Sequence, residues 1–583
     1  MRFYLIALLA VFPLLTACDS TTDSSTSRDT AGIAPMTERT WEAFRDEVIE
    51  DMLAEDPVMA VEQGRHEYDG KLRNYSLQAL DAYVQQAQIW IKEANGFSAE
   101  QLTVEQHFER DYLIAELEEE IFWIAEAKFP QRSPLWYALN LSPDLYISVP
   151  YADLATRFAA YITYTGNLPQ ALRQMRENLQ TPLPRTYVET ASAIFKGLTG
   201  FMSTTVPETF ASVDDPELQQ KFLQSNDVAI AAVQETSEWF DRQLENANED
   251  FALGEKLYRR MLWTTERVDI SLDDLKAIGV ADLERNLAAL TEVCAHYLPE
   301  SDNKACIEKA EANKPEDSAV LEARRQLVTL KQFLVDKDIV SILGTEEALV
   351  EEAPPHRRFN LAYINIPGPY ETGLPSVYYI APPDPAWTEE EQQAYISGKA
   401  SLLFVSVHEV WPGHFLNFLH ANRADSLFGR LFIGYAFAEG WAHYTEELMW
   451  VKGLNDGDPE THIGQLRNAL LRNVRFLSSI GMHTEGMSVE ESFALFQEKG
   501  FQDPGNARQQ AYRGKFDPGY LNYTMGKLMI IKLRDDWAKN RGGETVWKDF
   551  HDEFLSYGGP PIPMVREAMV GKEGKLFAVP DQP

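Results

Sequence analysis

The sequence predicts a mainly α-helical protein folded as one large body, and three observations carry that expectation. Apolar residues recur at three- and four-residue spacings over residues 37–349 and again from Ser401 to the end. Prolines such as Pro130, Pro134, Pro143 and Pro150 fall at many of the breaks between periodic runs. Only one short stretch, residues 361–380, is rich in β-branched and aromatic side chains. No segment repeats at a fixed period, which argues against a regular solenoid. No linker divides residues 37–583 into independent units.

The chain begins with Arg2, an apolar run over residues 3–15, and Leu15-Thr16-Ala17 leading into Cys18. That run is too short to cross a bilayer as a mature helix. It resembles a bacterial lipoprotein signal, which implies removal of residues 1–17 and a lipid on Cys18 that anchors the protein to a membrane, facing the periplasm. Asp19 resembles the mark that retains such proteins in the inner membrane. Residues 18–36, rich in Ser, Thr and Asp, read as a flexible tether below the domain at 37–583.

Residues 40–48 and 102–127 are the clearest helices of the first half. His66 and His107 lie in that half and read as surface or packing histidines. Cys294 and Cys306 flank a turn-rich loop and are expected to form one disulfide in an oxidising compartment. Residues 361–366 and 376–380 read as two short strands in a hairpin-like element, separated by Pro367-Gly368-Pro369 and Gly373. Such a pair could lay an extended peptide along its edge or merely roof the core. Thr388 and Glu391 form a capping-box pattern expected to open one long helix carrying His408.

An apolar fraction of 45% allows a large core, whereas a net charge of −36 argues against nucleic acid and against docking on anionic lipid through basic patches.

The chemistry concentrates in His408-Glu409-Val410-Trp411-Pro412-Gly413-His414. On a regular helix residues four apart lie about 40° apart around the axis, so paired metal histidines usually read His-x-x-x-His. Here the second histidine is six positions on, about 120° off that face. The two converge only if the helix is interrupted, and Pro412-Gly413 supplies the interruption. A third ligand must come from elsewhere. Glu439, in Glu439-Gly440-Trp441-Ala442-His443-Tyr444-Thr445-Glu446, is the preferred candidate because its surroundings are apolar, and Glu446, two turns on along the same face, competes with it. Two imidazoles, a carboxylate and a free Glu409 beside the first imidazole suit zinc-assisted hydrolysis, with Glu409 as general base.

These two motifs resemble the bacterial lipoprotein family catalogued as domain of unknown function 885. Asp56-Pro57 with Gly64-Arg65-His66-Glu67-Tyr68-Asp69-Gly70 resembles that family's N-terminal signature. Arg475-Phe476 to Gly481-Met482-His483, and Pro518-Gly519 to Tyr523 and Gly526, resemble its C-terminal ones. The resemblance implies a fold similar to glutamate-liganded zinc peptidases such as thimet oligopeptidase and angiotensin-converting enzyme, with a deep cleft between helical halves. By position it makes His483, Tyr520 and Tyr523 the candidates to steady an oxyanion, and residue type makes Arg513 a candidate for a substrate carboxylate. The chain departs from the family pattern at Phe415-Leu416-Asn417, Ser479 and Tyr520, none of them a proposed ligand. The expectation is therefore a membrane-tethered zinc peptidase for short peptides. Two alternatives stand beside it: a metal-dependent hydrolase of another amide or ester, and a silent lipoprotein that binds peptides.

Overall fold

Helices start in this chain where a polar side chain can satisfy the first free amides. Thr40 caps the helix Trp41–Glu55, Thr103 and Gln106 form a reciprocal capping box at Val104–Ile121, and Asp215 accepts from two amides at the head of Pro216–Gln243. The computed structural model describes residues 39–578 except 99, 139, 355–357, 359–360, 384 and 386. The expected leader, Cys18 and the tether lie outside the described residues. The protein is mainly α-helical. Among the described residues no helix is long and apolar enough to cross a membrane.

The buried apolar side chains form three main zones. Two belong largely to the N-terminal helices, one around Trp41, Leu53 and Leu113 and one around Phe158, Phe195 and Phe240. The third and largest gathers the helices from Leu272 onward, including Trp411, Trp441 and Phe554. Cys294 and Cys306 are joined in a disulfide with 5.7 Å between Cα atoms, tying Leu272–Tyr297 to Asn303–Glu311.

Three strands make the sheet, β1 (Ala348–Glu352), β2 (Ala362–Asn365) and β3 (Ser376–Ile380), in the order β1-β3-β2. The expected antiparallel pair is present, with Tyr363 opposite Tyr379. β1, which falls at the end of the region read as helical, adds in parallel with Val350 opposite Tyr378. A five-residue strand with a single buried residue, Val350, carries too little pattern to be read from sequence.

The single long helix expected to carry His408 is instead two. Glu389–Tyr395 ends, and Lys399–Glu409 starts afresh. The break lets Gly398 press against the Asn303–Glu311 helix, where a Cβ would sit 2.9 Å from Glu311 Cα, and its amide donates to Glu311 Oε2 at 2.9 Å.

Candidate metal centre

The interruption at Pro412-Gly413 has a defined geometry. Lys399–Glu409 stops, the amides of Val410 and Trp411 both donate to Ser406 O at 3.0 and 3.3 Å, and the Gly413 amide donates to Val407 O at 3.0 Å. His414–Ala421 then begins. A Cβ at position 413 would lie 1.8 Å from His408 O, so only glycine permits this fold-back. Trp441 Nε1 donates to Pro412 O at 2.8 Å and pins the break to the helix Tyr435–Val451, which carries Glu439. That helix in turn crosses Asn522–Ala538 glycine on glycine, with a Cβ on Gly440 only 2.5 Å from Gly526 Cα.

Three side chains converge as a result. His408 Nε2 and His414 Nε2 lie 3.1 and 3.3 Å from the same oxygen, Glu439 Oε2. One ligand atom from each residue falls within 4.8 Å of the others. A tetrahedral zinc with bonds near 2.05 Å separates its ligand atoms by about 3.3 Å, so the donor set and its spacing fit such an ion.

Glu446, the competing third ligand, has a different place. Its Oε1 lies 2.7 Å from His408 Nδ1 and 2.9 Å from Arg472 Nη2, and the residue is fully buried. It therefore accepts from His408 Nδ1–H, which fixes the ring with Nε2 facing Glu439 and His414. Burial alone would raise the Glu446 pKa, but Arg472, His408 and His443 hold it below the usual carboxylate range. Glu439 is likewise held well below its ordinary value against burial, by His414 and His408. Burial and Arg472 favour a neutral His408, yet its hydrogen bonds to Glu439 and Glu446 raise it to about 9. Arg472 offsets Glu446, and the remaining carboxylate, Glu439, faces two imidazole nitrogens, a donor set that suits a cation.

Glu409 is half-buried and faces the same cleft as the three convergent side chains. Burial raises its pKa, opposed by His414 and His408. Tyr523 also lines the cleft, its ring stacked on His408 with 6.3 Å between centroids. The other two oxyanion candidates do not reach it. His483 sits in a π-helical turn, Gly481–Glu485, that rotates it into the core, where Nε2–H donates to Gly514 O at 2.8 Å beside Tyr258 and Phe251. Tyr520 is fully buried and its hydroxyl donates to Gln510 Oε1. Arg513 lines the cleft, but its Nε is paired with Asp517 at 3.1 Å.

The cleft has a volume of about 1490 Å³ and is walled by β2, by the His408 and Glu439 helices, and by Pro459–Ile480. Arg472, Arg475 and Tyr435 line it as well and were not among the expected site residues. A signal for the two arginines exists. They lie three apart amid Leu470, Leu471, Val474, Phe476 and Leu477, so they share one face of an otherwise apolar helix. The N-terminal signature also finds a place: Gly64, at φ +95°, leaves 2.7 Å between a would-be Cβ and the Glu371 amide, and His66 Nε2 meets Glu371 Oε1 at 2.8 Å. It thus holds the β2–β3 loop that walls the cleft.

The family described as "Bacterial protein of unknown function (DUF885)" matches residues 57–569. Among solved structures, a "putative lipoprotein of unknown function" from Shewanella oneidensis superposes with a TM-score of 0.77 at 23% identity, covering 91% of this chain and 100% of the other. A "putative lipoprotein" from Colwellia psychrerythraea gives 0.76 at 16% identity, covering 91% and 98%. No curated protein matches the sequence.

Proposed function

Because the chain belongs to the DUF885 family of bacterial proteins, whose description names no activity, we propose a function from the site itself: a zinc-dependent hydrolase that cleaves short peptides. The observation that carries this reading is the convergence of His408, His414 and Glu439 beside Glu409 in a large cleft. When bound, zinc supplies a Lewis acid and lowers the pKa of an attacking water. His408 and His414 would hold it through Nε2, and Glu439 would hold it through a carboxylate oxygen. Glu446 and Arg472 keep the His408 ring in register. Glu409 takes the proton of the attacking water and passes it to the leaving amine. Tyr523 stands next to His408, and its hydroxyl, which accepts from Arg513 Nη2 at 3.4 Å, keeps its own hydrogen to donate to a developing oxyanion.

Peptide is favoured over other amides by β2. It is an edge strand of the sheet, and Ala362, Tyr363, Ile364 and Asn365 all line the cleft, where an extended chain can pair with it. A cleft, in place of an open face, limits substrates to short chains. The leader over residues 1–17 followed by Cys18, together with two lipoprotein-described structural neighbours, supports an exported protein anchored by lipid to a membrane and facing the periplasm.

Metal analysis of the purified chain tests the reading. One zinc per chain is expected in wild type and in Glu409→Gln, and none in His414→Ala, with hydrolysis of short peptides in wild type only. A wild type that takes up no metal after zinc reconstitution would overturn it.

A further inference from the structure

Arg467, Arg472, Arg475 and Arg513 are among the arginines that line the cleft. Arg467, Arg472 and Arg513 each have a carboxylate within 3.2 Å, namely Glu311, Glu446 and Asp517. Arg475 has none among the described residues. It is nine-tenths buried, at 9% exposure, and lines the cleft. Its Nε donates to Gln510 Oε1 at 3.0 Å, and its guanidinium otherwise rests on two ring faces, 4.9 Å from the Tyr520 centroid and 4.8 Å from that of Tyr523. Asp517, ion-paired with Arg513, also feels the charge of Arg475 but makes no ion pair with it, so two buried guanidiniums face one carboxylate. A buried guanidinium with no carboxylate in contact is costly unless an anion completes it. A planar fork flanked by aromatic faces is shaped for a carboxylate.

The position of this charge relative to the metal ligands gives it a meaning. Tyr523 neighbours both groups: Arg475 lies 4.8 Å from its ring centroid, and the His408 ring 6.3 Å from the same point. The guanidinium is therefore no farther from the His408 ring than those two spans laid end to end. Successive Cα atoms of a peptide are about 3.8 Å apart, so that reach accommodates one or two residues between a cleaved bond and a bound carboxylate. We infer that Arg475 is the subsite for the C-terminal carboxylate of the substrate, so that the enzyme removes one or two residues from the C-terminus of short peptides. The inference rests on the peptide-hydrolase reading above and adds polarity and exo-cleavage to it. Gln510, which accepts from Arg475 and Tyr520, and Tyr520, whose ring lies under the guanidinium, are positioning residues for Arg475.

Binding, separate from turnover, tests it. N-acetyl-trialanine and its C-terminal amide are titrated calorimetrically into the full chain, once metal-depleted and once zinc-loaded, the zinc-loaded arm carrying Glu409→Gln so that no peptide is turned over. With Arg475 in place the chain is expected to bind the acid roughly tenfold or more tighter than the amide in both states. In Arg475→Met that preference vanishes, and in Arg475→Lys a part of it returns; thermal melts show that both variants are folded. Equal binding of acid and amide by wild type overturns the inference, and needs no variant to fold. An N-acetylated peptide amide bearing one aspartate, bound as tightly as the free acid, also overturns it, by assigning Arg475 to acidic side chains. Because the preference is read without metal as well, failure of the zinc reading leaves this test standing.

Discussion

His408 and His483 are both buried histidines near a helix end, 4% and 1% exposed, yet they sit in regions with opposite character. Around His408 the chain breaks, turns back on itself and brings Glu439 to Nε2 and Glu446 to Nδ1. Around His483 the chain widens into a π-helical turn and offers one carbonyl and two aromatic rings. Burial is the same in both. What separates them is the charge of the partners: carboxylates on two sides make a cation site, and a carbonyl with rings makes a packed neutral imidazole. The electrostatics follow, with His408 raised to about 9 and His483 lowered to about 4 by burial.

The largest expected contrast lies in the glycine beside each histidine. Gly413→Ala drives a Cβ into the His408 carbonyl, and backbone cannot yield as a flexible side chain can. A loss on the order of 4 kcal/mol, with metal binding gone, is expected from urea unfolding and metal analysis. Gly486, which ends the His483 turn at φ +74°, has open space where its Cβ would go. Gly486→Ala should cost only the left-handed conformation, about 1–2 kcal/mol, and leave metal binding intact. Similar losses from both would break the contrast between the regions.

That pair also marks how far the sequence could be read. The helical class, the β2–β3 pair and the Pro412-Gly413 interruption were legible because each rests on local rules: spacing, β-branching, and the backbone limits of proline and glycine. Glu439 was chosen over Glu446 from its apolar neighbours, and the structure gives the two distinct partners. Glu446 is itself fully buried, because Arg472 packs over it from another helix, which its neighbours along the chain do not reveal. His483 and Tyr520 were assigned by position along the chain. A π-helical turn and a buried Gln510 redirect them, and neither leaves a mark in residue spacing. β1 and the break at Gly398 depend on contacts with distant segments, Ser376–Ile380 and the Asn303–Glu311 helix, and so were equally invisible.

The second contrast is in pH. Burial, the dominant influence, depresses His483 to about 4, while Gly514 O favours its protonated form and Arg132 opposes it. Unfolded, the ring has a pKa near 6.5, so between those values the unfolded chain binds the extra proton. Its contribution is thus fully present above pH 6.5 and is lost as pH falls through 4, a change of roughly 3 kcal/mol. His483→Phe removes both the bond to Gly514 O, costing about 1–3 kcal/mol at pH 7, and this titration. The variant should therefore gain on wild type by about 3 kcal/mol between pH 7 and pH 4 in urea unfolding. A stability difference that stays flat across that range would mean that His483 is not held neutral.

The smallest effect is the most informative about the metal centre. Glu446→Gln keeps the shape of the side chain and an oxygen to accept from His408 Nδ1–H, but removes the charge that matches Arg472. The ring keeps its orientation and loses basicity at Nε2, so zinc affinity should fall by about 10–100-fold with the stoichiometry still one. Glu439→Gln, by contrast, removes a ligand charge and should lower the affinity further at the same stoichiometry or abolish binding. His483→Phe should change neither. Competition titration with a chelating dye orders the three. If Glu446→Gln lowers affinity more than Glu439→Gln, the assignment of ligand and supporting carboxylate is reversed. If His483→Phe lowers it at all beyond its effect on folding, then a histidine among aromatic rings communicates with the centre, and partner charge alone does not divide the two regions.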